Sequence, residues 1–293
     1  MYTVALHTLL GMSKVETHEQ LKAQDLLVEF RKNTGQAAFL SHEWLDIGHP
    51  DAECKQMRVL QDALKHMMGN LHSIPVDLVS EGFGEGVKPL PTSKLSGPLF
   101  FWYDYFSCPQ MDDEWSRGVL LDAINSIPAY VDECSFFFAL VPVLEHPNHV
   151  LTPSSWHHRG WCRLERTCRE LSKDHSWIMV KSPTEIELIT SATASMLAGS
   201  GPVGEGLFSV EEDRLKLGPV LRIVLKRKLL SLLKSQNWPG YRALLNQQAM
   251  MLRGMDCDFF SPEVPEGLGQ DGQGQIDPSP SRVAGFLHQN GFR

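Results

Sequence analysis

The chain has 293 residues, of which 42% are hydrophobic and 21% are charged, a composition typical of a globular protein that buries a substantial core. A formal net charge of -8 disfavours nucleic acid as a partner, because phosphate binding requires a clustered excess of Lys and Arg. The six cysteines are scattered without a Cys-x-x-Cys pair, which argues against a disulfide framework or a zinc ribbon and favours reduced thiols.

The start of the sequence lacks the basic residues and the long apolar run of a secretory signal peptide. Nowhere in the sequence is an apolar run long enough to span a bilayer. We therefore expect no membrane span and a cytosolic or nuclear compartment, with the cytoplasm as the expected location.

Residues 1–35 are predicted to form an N-terminal helical extension, because Glu16–Arg31 has the polar composition and the leucine spacing of an amphipathic helix. The short apolar run Ala37–Leu40 then predicts a buried strand. This strand ends at Ser41-His42-Glu43-Trp44, and the carboxyl end of such a strand is where a binding site would form.

Residues 52–68 are predicted to form a helix that packs on the sheet. Their apolar residues recur at spacings of three and four, which is the helical period, and they are Met57, Leu60, Leu64 and Met67. Residues 69–97 are rich in Gly, Pro and Ser, and we interpret them as a long surface insertion rather than as part of the core.

A second strand is predicted at Leu99–Trp102, followed by a loop over residues 103–115. Apolar residues then recur at helical spacing from Val119 to Val131, although Pro128 is expected to kink that helix or end it early. The segment Ser135–Val141 is apolar throughout, which predicts a central parallel strand covered on both faces.

Further helices are predicted over His157–Leu171 and Leu215–Leu233, with a fourth strand at Trp177–Val180 between them. The alternation of strands and helices predicts an α/β fold with a parallel sheet, right-handed crossovers and helices on both faces. We assign residues 36–255 to this domain and residues 256–293 to a Gly/Pro-rich tail, expected to be disordered.

Three segments resemble TIR domains, in the order in which that family has them. Phe39-Leu40-Ser41-His42 resembles the first TIR strand, and residues 134–142, together with the helix that contains Ala123–Ile127, resemble the elements before the catalytic helix. The run Trp161-Cys162-Arg163-Leu164-Glu165 is similar to the TIR pattern Trp-Cys-x-x-Glu.

Two of these places also resemble the fungal heterokaryon-incompatibility (HET) domain, which has a TIR-related fold. Trp102-x-Asp104 with Gln110 is similar to its Trp-x-Asp…Gln run, and Arg159-x-Trp161-x-x-x-Glu165 is similar to its Arg-x-Trp…Glu run. The resemblance covers about half of the chain. The chain departs from these families in the insertion at 69–97 and in Cys108, which lies one position later than the HET cysteine.

The resemblance implies a TIR-like (flavodoxin-like) parallel sheet flanked by helices, with helical extensions at both ends. Some TIR domains hydrolyse NAD to nicotinamide and ADP-ribose with the glutamate of this motif, and others only assemble signalling complexes. The implied substrate is NAD or a related nucleotide, and the implied catalytic residue is Glu165, with no metal and no further cofactor. The residues expected to contact the substrate are His42, Trp44, Trp102, Asp104, Gln110, Arg159 and Trp161.

The chemistry of N-glycosidic cleavage independently suits a single carboxylate at this position. The bond breaks through an oxocarbenium-like state, whose developing positive charge a carboxylate stabilises. Nicotinamide is already a good leaving group. No Gly-x-Gly-x-x-Gly or P-loop pattern follows a predicted strand, which disfavours a Rossmann dehydrogenase or a nucleotide triphosphatase.

Several candidate residues also have a purely structural interpretation. Glu165 could pair with Arg169 one helical turn later as a solvated ion pair. His42 could be a buried structural histidine, and Asp104 could cap the turn that follows the second strand.

The tryptophans Trp44, Trp102 and Trp161 could belong to the core or its rim, and Arg159 could form a surface salt bridge rather than contact a phosphate. Zinc is set aside because a site needs three or four convergent ligands; the residues weighed for it are His157, His158, Cys162 and Cys168.

Two functions therefore remain open at the level of sequence. The first is an intracellular signalling or defence domain that hydrolyses NAD. The second is a TIR-like module that self-associates or recruits another domain, without catalysis, through the loop 103–115 and the helix after it.

Overall fold

The computed structural model describes residues 1–46, 48–83, 86–111, 114–147, 149–190 and 201–255. All of them belong to one unit of the chain, Met1–Cys257. The tail predicted at 256–293 and the tip of the predicted insertion, Gly84 and Glu85, lie outside the described residues.

The strands of the described chain form one sheet of seven strands and two small sheets of two strands each. In chain order they are β1 (Tyr2–Ala5), β2 (Leu27–Glu29), β3 (Gln36–His42), β4 (Ser73–Ile74), β5 (Leu90–Pro91), β6 (Leu99–Trp102), β7 (Phe136–Leu140), β8 (Leu144–His146), β9 (His149–Leu151), β10 (Trp177–Val180) and β11 (Ile186–Ile189).

The helices of the described chain lie between these strands and after the last of them. They are α1 (Leu6–Gly11), α2 (His18–Ala23), α3 (Lys55–Gly69), α4 (Leu78–Phe83), α5 (Asp104–Ser107), α6 (Glu114–Glu133), α7 (Pro153–His158), α8 (Gly160–Leu171), α9 (Asp213–Lys234) and α10 (Trp238–Met251), with short 3-10 turns at Thr92–Leu95 and Val203–Glu205.

The large sheet has the strand order β11-β10-β7-β3-β6-β1-β2. Its four middle strands, β10, β7, β3 and β6, are parallel, whereas β11, β1 and β2 pair antiparallel at the edges. In chain order the parallel strands therefore run 2-1-3-4 across the sheet, which is the flavodoxin-like order. The chain changes direction across the sheet at β3, and at such a point a crevice opens outside the carboxyl ends of the strands.

Apolar side chains cover both faces of the parallel strands, as the sequence predicts. Phe39 and Phe137 belong to one buried cluster, and their neighbours Leu40 and Phe138 belong to the cluster on the other face. This alternation follows from the two-residue period of a strand. Helices α6, α8 and α9 cover the first face, and α1 and α3 cover the second.

The structure has the predicted α/β class, but the sheet is only partly parallel, and the N-terminal extension expected to be helical also contains strands. Residues 1–35 contain β1 and β2 as well as α1 and α2, and β1 pairs antiparallel with β6. The sheet is therefore mixed. Strands of three or four residues carry too little periodic pattern to be distinguished from a helix, and their pairing decides the outcome.

The interpretation of residues 69–97 as surface alone is also wrong. They contain β4, α4 and β5, and the side chains of Ile74 and Leu95 are buried in the core on the α3 face. Two buried anchors hold a segment whose Gly and Pro content suggested only a loop.

Two predicted helices have different boundaries from those expected. Helix α6 continues past Pro128 to Glu133, because Ile127 and Val131 on either side of the proline are buried in the core and packing of this kind outweighs a cost of about 3 kcal/mol. The helix predicted at His157–Leu171 is divided at Arg159, whose backbone is extended.

The break at Arg159 satisfies its own backbone groups. Leu207 donates its N–H to the carbonyl of His158 at 2.7 Å and accepts the N–H of Gly160 at 2.9 Å. A Cβ at Gly160 would overlap the ring of Phe208, so any larger residue at the start of α8 requires that ring to move. The break sets the direction of α8, which carries Glu165.

Candidate active site at the carboxyl ends of the parallel strands

The carboxyl ends of β3 and β6 bring together polar residues that are distant in sequence. Ser41 and His42 close β3, and Asp104 begins α5 two residues after the end of β6. Helix α8 packs against β3 and presents Glu165 to Ser41.

Glu165 is held by a chain of two hydrogen bonds. The hydroxyl of Ser41 donates to Oε2 of Glu165 at 2.6 Å, and Nε1 of Trp156 donates to Oγ of Ser41 at 3.0 Å. Ser41 and Trp156 are buried, whereas Glu165 is partly exposed. Burial raises the pKa of Glu165 to about 8, the Ser41 hydrogen bond opposes this shift, and the negative charge of Asp104 adds to it.

Asp104 lies beside Glu165 with about a third of its side chain exposed. It accepts hydrogen bonds from Nε1 of Trp44 at 2.8 Å and from the backbone N–H of Tyr105 at 2.6 Å. These two donors fix the carboxylate at the start of α5, while its exposed part remains open to solvent or a ligand.

His42 is buried beside Asp104 and is shielded from solvent. Its ring stacks on Tyr103 at 4.0 Å between centroids, and Nε2 lies 3.5 Å from Oδ1 of Asp104. Burial lowers the pKa of His42, although Asp104 opposes this shift, so the imidazole is neutral at pH 7 and the contact is not an ion pair. Nε2 has no hydrogen-bond partner among the described residues.

A third carboxylate, Glu43, lies at the same edge. Its Oε2 accepts a hydrogen bond from the hydroxyl of Ser155 at 2.7 Å. The thiol of the neighbouring Cys162 donates to the carbonyl of His42 at 3.3 Å and joins α8 to β3. Burial, followed by the charges of Glu165 and Glu43, raises the pKa of this thiol, so Cys162 is a packing residue rather than a nucleophile.

Trp102 and Gln110 have contacts away from the carboxylates. Trp102 is 2% exposed and stacks on Phe39 at 4.4 Å between centroids, which places it in the core. The side-chain amide of Gln110 donates a hydrogen bond to the carbonyl of Cys108 at 2.9 Å. Its backbone N–H donates to Oε1 of Glu19 on α2 at 2.8 Å, outside the cluster around Glu165.

Arg159 and Trp161 also bond residues outside the carboxylate cluster. Nη2 of Arg159 donates to the hydroxyl of Ser209 at 2.6 Å. Nε1 of Trp161 donates to Asp213 at 3.1 Å. These contacts attach the start of α8 to the segment that leads into α9 and to the first residue of α9.

Glu165 and Arg169 do not form the ion pair that was the structural alternative for Glu165. The guanidinium of Arg169 donates instead to three backbone carbonyls, those of Ser176, Cys134 and Ser135. Within the part of the chain that the structure describes, no group of three or more His, Cys, Asp or Glu side chains is placed to hold a metal ion.

Sequence reasoning did not identify Ser41 and Trp156 as site residues. Ser41 carries one usable signal, because it is the polar residue at the carboxyl end of a buried strand. Trp156 carries none, since its partner lies 115 residues away in sequence.

Two cavities of the described chain lie elsewhere. One of about 250 Å³ lies at the amino ends of β7 and β10, and its lining includes Arg169 and Lys94. Another of about 220 Å³ lies between α2 and α6 and includes His18. Neither is lined by Glu165, so hydrogen bonding and charge, rather than cavity size, identify the carboxylate cluster as the candidate site.

Among the described residues, no helix is both long and apolar enough to cross a membrane. Comparison with protein-family models, with curated proteins and with solved structures finds no significant match to this chain.

Proposed function

We propose that this chain is a TIR-like domain that hydrolyses NAD to nicotinamide and ADP-ribose, with Glu165 as its catalytic carboxylate. The observation that carries the proposal is the position of Glu165, bonded to Ser41 at the carboxyl end of β3. This is the point where the strand order reverses, and open α/β sheets bind ligands there. The Trp-Cys-x-x-Glu resemblance supplies the choice of reaction.

Once Glu165 is ionised, the cluster has the negative charge that this reaction requires. In NAD the nicotinamide ring is cationic, and breaking the bond between ribose C1′ and ring N1 sends the bonding electrons to the ring. Nicotinamide leaves neutral, and C1′ becomes an oxocarbenium ion that Glu165 stabilises. Water then adds to C1′ and releases one proton, which gives ADP-ribose.

Two further groups of the site suit this substrate. The partly exposed carboxylate of Asp104 attracts the cationic ring before the bond breaks, and the partly buried indole of Trp44 beside it offers an aromatic face. His42 is shielded behind Asp104 and Tyr103, so we assign it no contact with the substrate.

Release of nicotinamide from NAD by the purified chain tests the proposal. We expect turnover that falls at least about 100-fold in Glu165→Gln, which keeps the shape and the acceptor oxygen but removes the charge. Glu133→Gln is the matched control, because Glu133 is an exposed carboxylate at the end of α6, near the amino ends of the strands and far from Glu165. Equal rates in Glu165→Gln and in the wild-type chain would exclude Glu165 as the catalytic group.

The pH dependence gives a second test. Since the pKa of Glu165 is raised to about 8, the ionised fraction of the free protein rises about tenfold for each pH unit below that value. We expect kcat/KM to rise between pH 6 and 8 and to level off above. A rate that is constant over this range would contradict ionised Glu165 as the active form.

A second candidate function, assembly without catalysis, is favoured by exposed apolar residues in and after residues 103–115, which contain α5 and the start of α6 rather than the single loop expected. Met111 is 60% exposed, and Leu120 and Leu121 on α6 are 40% and 50% exposed. Light scattering over a range of concentrations tests this function. We expect Leu121→Ser to weaken self-association if α6 is the interface, whereas Leu215→Ser, at a leucine of α9 that is 58% exposed, leaves it unchanged.

A further inference from the structure

The hydrogen bonds behind Glu165 have a direction that residue chemistry alone determines. The indole Nε1–H of Trp156 is a donor and never an acceptor. Oγ of Ser41 lies 3.0 Å from it and must accept this bond. The one hydroxyl hydrogen of Ser41 is then available for Oε2 of Glu165, 2.6 Å away.

Burial keeps this direction fixed. Trp156 is 1% exposed and Ser41 is fully buried, so bulk water does not compete for either bond. Trp156 also packs edge-on against His157 at 4.9 Å between ring centroids, which restricts rotation of the indole. The sulfur of Cys162 also lies within hydrogen-bond reach of Ser41, but this thiol donates its own hydrogen to the carbonyl of His42. The carboxylate of Glu165 is the stronger acceptor and has the short contact of 2.6 Å, so it fixes the orientation of the Ser41 hydroxyl.

The two oxygens of Glu165 consequently differ. Oε2 accepts the Ser41 hydroxyl and has no place for a proton in that direction. Oε1 receives no hydrogen bond from the described residues, and Glu165 is partly exposed. Oε1 is therefore the oxygen that can gain or lose a proton and meet a ligand.

We propose that Trp156 and Ser41 are positioning residues, which orient Glu165 so that Oε2 is always an acceptor and Oε1 faces the substrate. The part of this inference that concerns a substrate rests on the proposed function. The orientation of the Glu165 carboxylate does not depend on it. The simpler alternative is that both residues only fill the core, in which case Trp156 would behave like any other buried tryptophan.

Site-specific titration of Glu165 separates these alternatives without any need for turnover. The full chain is labelled with ¹³Cδ-glutamate, and the Glu165 signal is assigned by its loss in Glu165→Gln. Ser41→Ala removes a hydrogen bond that stabilises the ionised carboxylate, so we expect the titration midpoint to rise by roughly one pH unit. Trp156→Phe keeps the packing but frees the Ser41 hydroxyl, and we expect a smaller rise in the same direction.

Two matched controls address general loosening of the core. Trp177→Phe removes the indole N–H of a tryptophan that is 1% exposed and whose Nε1 has no partner among the described residues. Ser172→Ala removes a buried hydroxyl from the far end of α8. Both should leave the Glu165 midpoint in place.

An unchanged midpoint in Ser41→Ala would overturn the inference, and so would an equal rise in Trp156→Phe and Trp177→Phe. If Ser41→Ala does not fold, the comparison of the Glu165 midpoints in Trp156→Phe and Trp177→Phe decides. Shifted midpoints with no release of nicotinamide at any pH would leave the orientation standing and refute NAD hydrolysis. Nicotinamide release that depends on Glu165, with unshifted midpoints, would support NAD hydrolysis and refute the orientation of Glu165 by Ser41 and Trp156.

Discussion

Two ionisable residues one turn apart on α8, Arg169 and Glu165, have different sets of hydrogen-bond partners. Arg169 is 2% exposed, and its guanidinium donates to three carbonyls, at 2.7 Å to Ser176, 3.0 Å to Cys134 and 3.2 Å to Ser135. Glu165 has the single donor Ser41, and burial raises its pKa. A buried charge with a full set of partners holds the fold together, whereas a carboxylate with one donor and a raised pKa is a candidate for ligand binding.

Removing the guanidinium tests the structural half of this comparison and has the largest expected effect. Arg169→Leu leaves three carbonyls at the amino ends of β7 and β10 without their donor. We expect the free energy of unfolding to fall by about 3–5 kcal/mol, measured by urea denaturation. Arg222→Leu, an exposed arginine on α9, is the control, and a loss below about 1 kcal/mol at Arg169 would contradict its structural role.

A substitution at the start of α8 tests the position of the helix while it leaves Arg169 and Glu165 unchanged. Gly160→Ala places a Cβ against the ring of Phe208, and we expect a loss of stability of about 2 kcal/mol from overpacking. Gly118→Ala on α6 is the matched control, because a Cβ there meets nothing within 4 Å and alanine favours a helix. Similar melting temperatures for both variants would show that α8 adapts to a side chain at its first residue.

Neutralising Glu165 should change stability in the opposite direction from the loss of Arg169. Because the folded-state pKa of Glu165 is raised from 4.5 to about 8, the folded protein binds a proton that the unfolded chain releases in this range. Wild-type stability therefore falls as pH rises from about 4.5 to 8, and Gln at this position has no such dependence.

We expect Glu165→Gln to be about 2 kcal/mol more stable than the wild-type chain at pH 9 and nearly equal to it at pH 5. This is less than the full pKa shift corresponds to, because solvent screens the partly exposed carboxylate. Urea denaturation of both proteins at the two pH values measures the difference. A variant that is less stable than the wild-type chain at pH 9 would mean that the ionised carboxylate is well satisfied, as Arg169 is.

Elements with a long, regular pattern could be predicted from the sequence, and short ones could not. The apolar run at Ser135–Val141 corresponds to β7, and the spacing over residues 52–68 corresponds to α3. By contrast, β2 has three residues in a segment with the spacing of a helix. Its conformation follows from pairing with β1, which lies outside any local window.

The candidate site divides along the same line. The position of Glu165 on a helix beside strand ends follows from a local motif and from the order of elements. Its partner Ser41 lies 124 residues earlier in sequence, and the arrangement of Trp156, Ser41 and Glu165 depends on how α7 and α8 pack on β3. Trp102 illustrates the converse, because a motif resemblance cannot distinguish a residue at a strand end that faces the core from one that faces a ligand.

The partners of Asp104 provide the smallest and most discriminating change. Nε1 of Trp44 donates to Oδ2 of Asp104 at 2.8 Å, and Trp44→Phe removes that donor while it keeps an aromatic ring. Asp104 retains the N–H of Tyr105 and is about a third exposed, so water can replace the indole. We therefore expect stability to fall by less than about 1 kcal/mol and kcat/KM for NAD to fall by about 3- to 10-fold. Trp238→Phe, at an exposed tryptophan on α10, should change neither quantity, and a loss of stability at Trp44 as large as that at Arg169 would make Asp104 a structural residue.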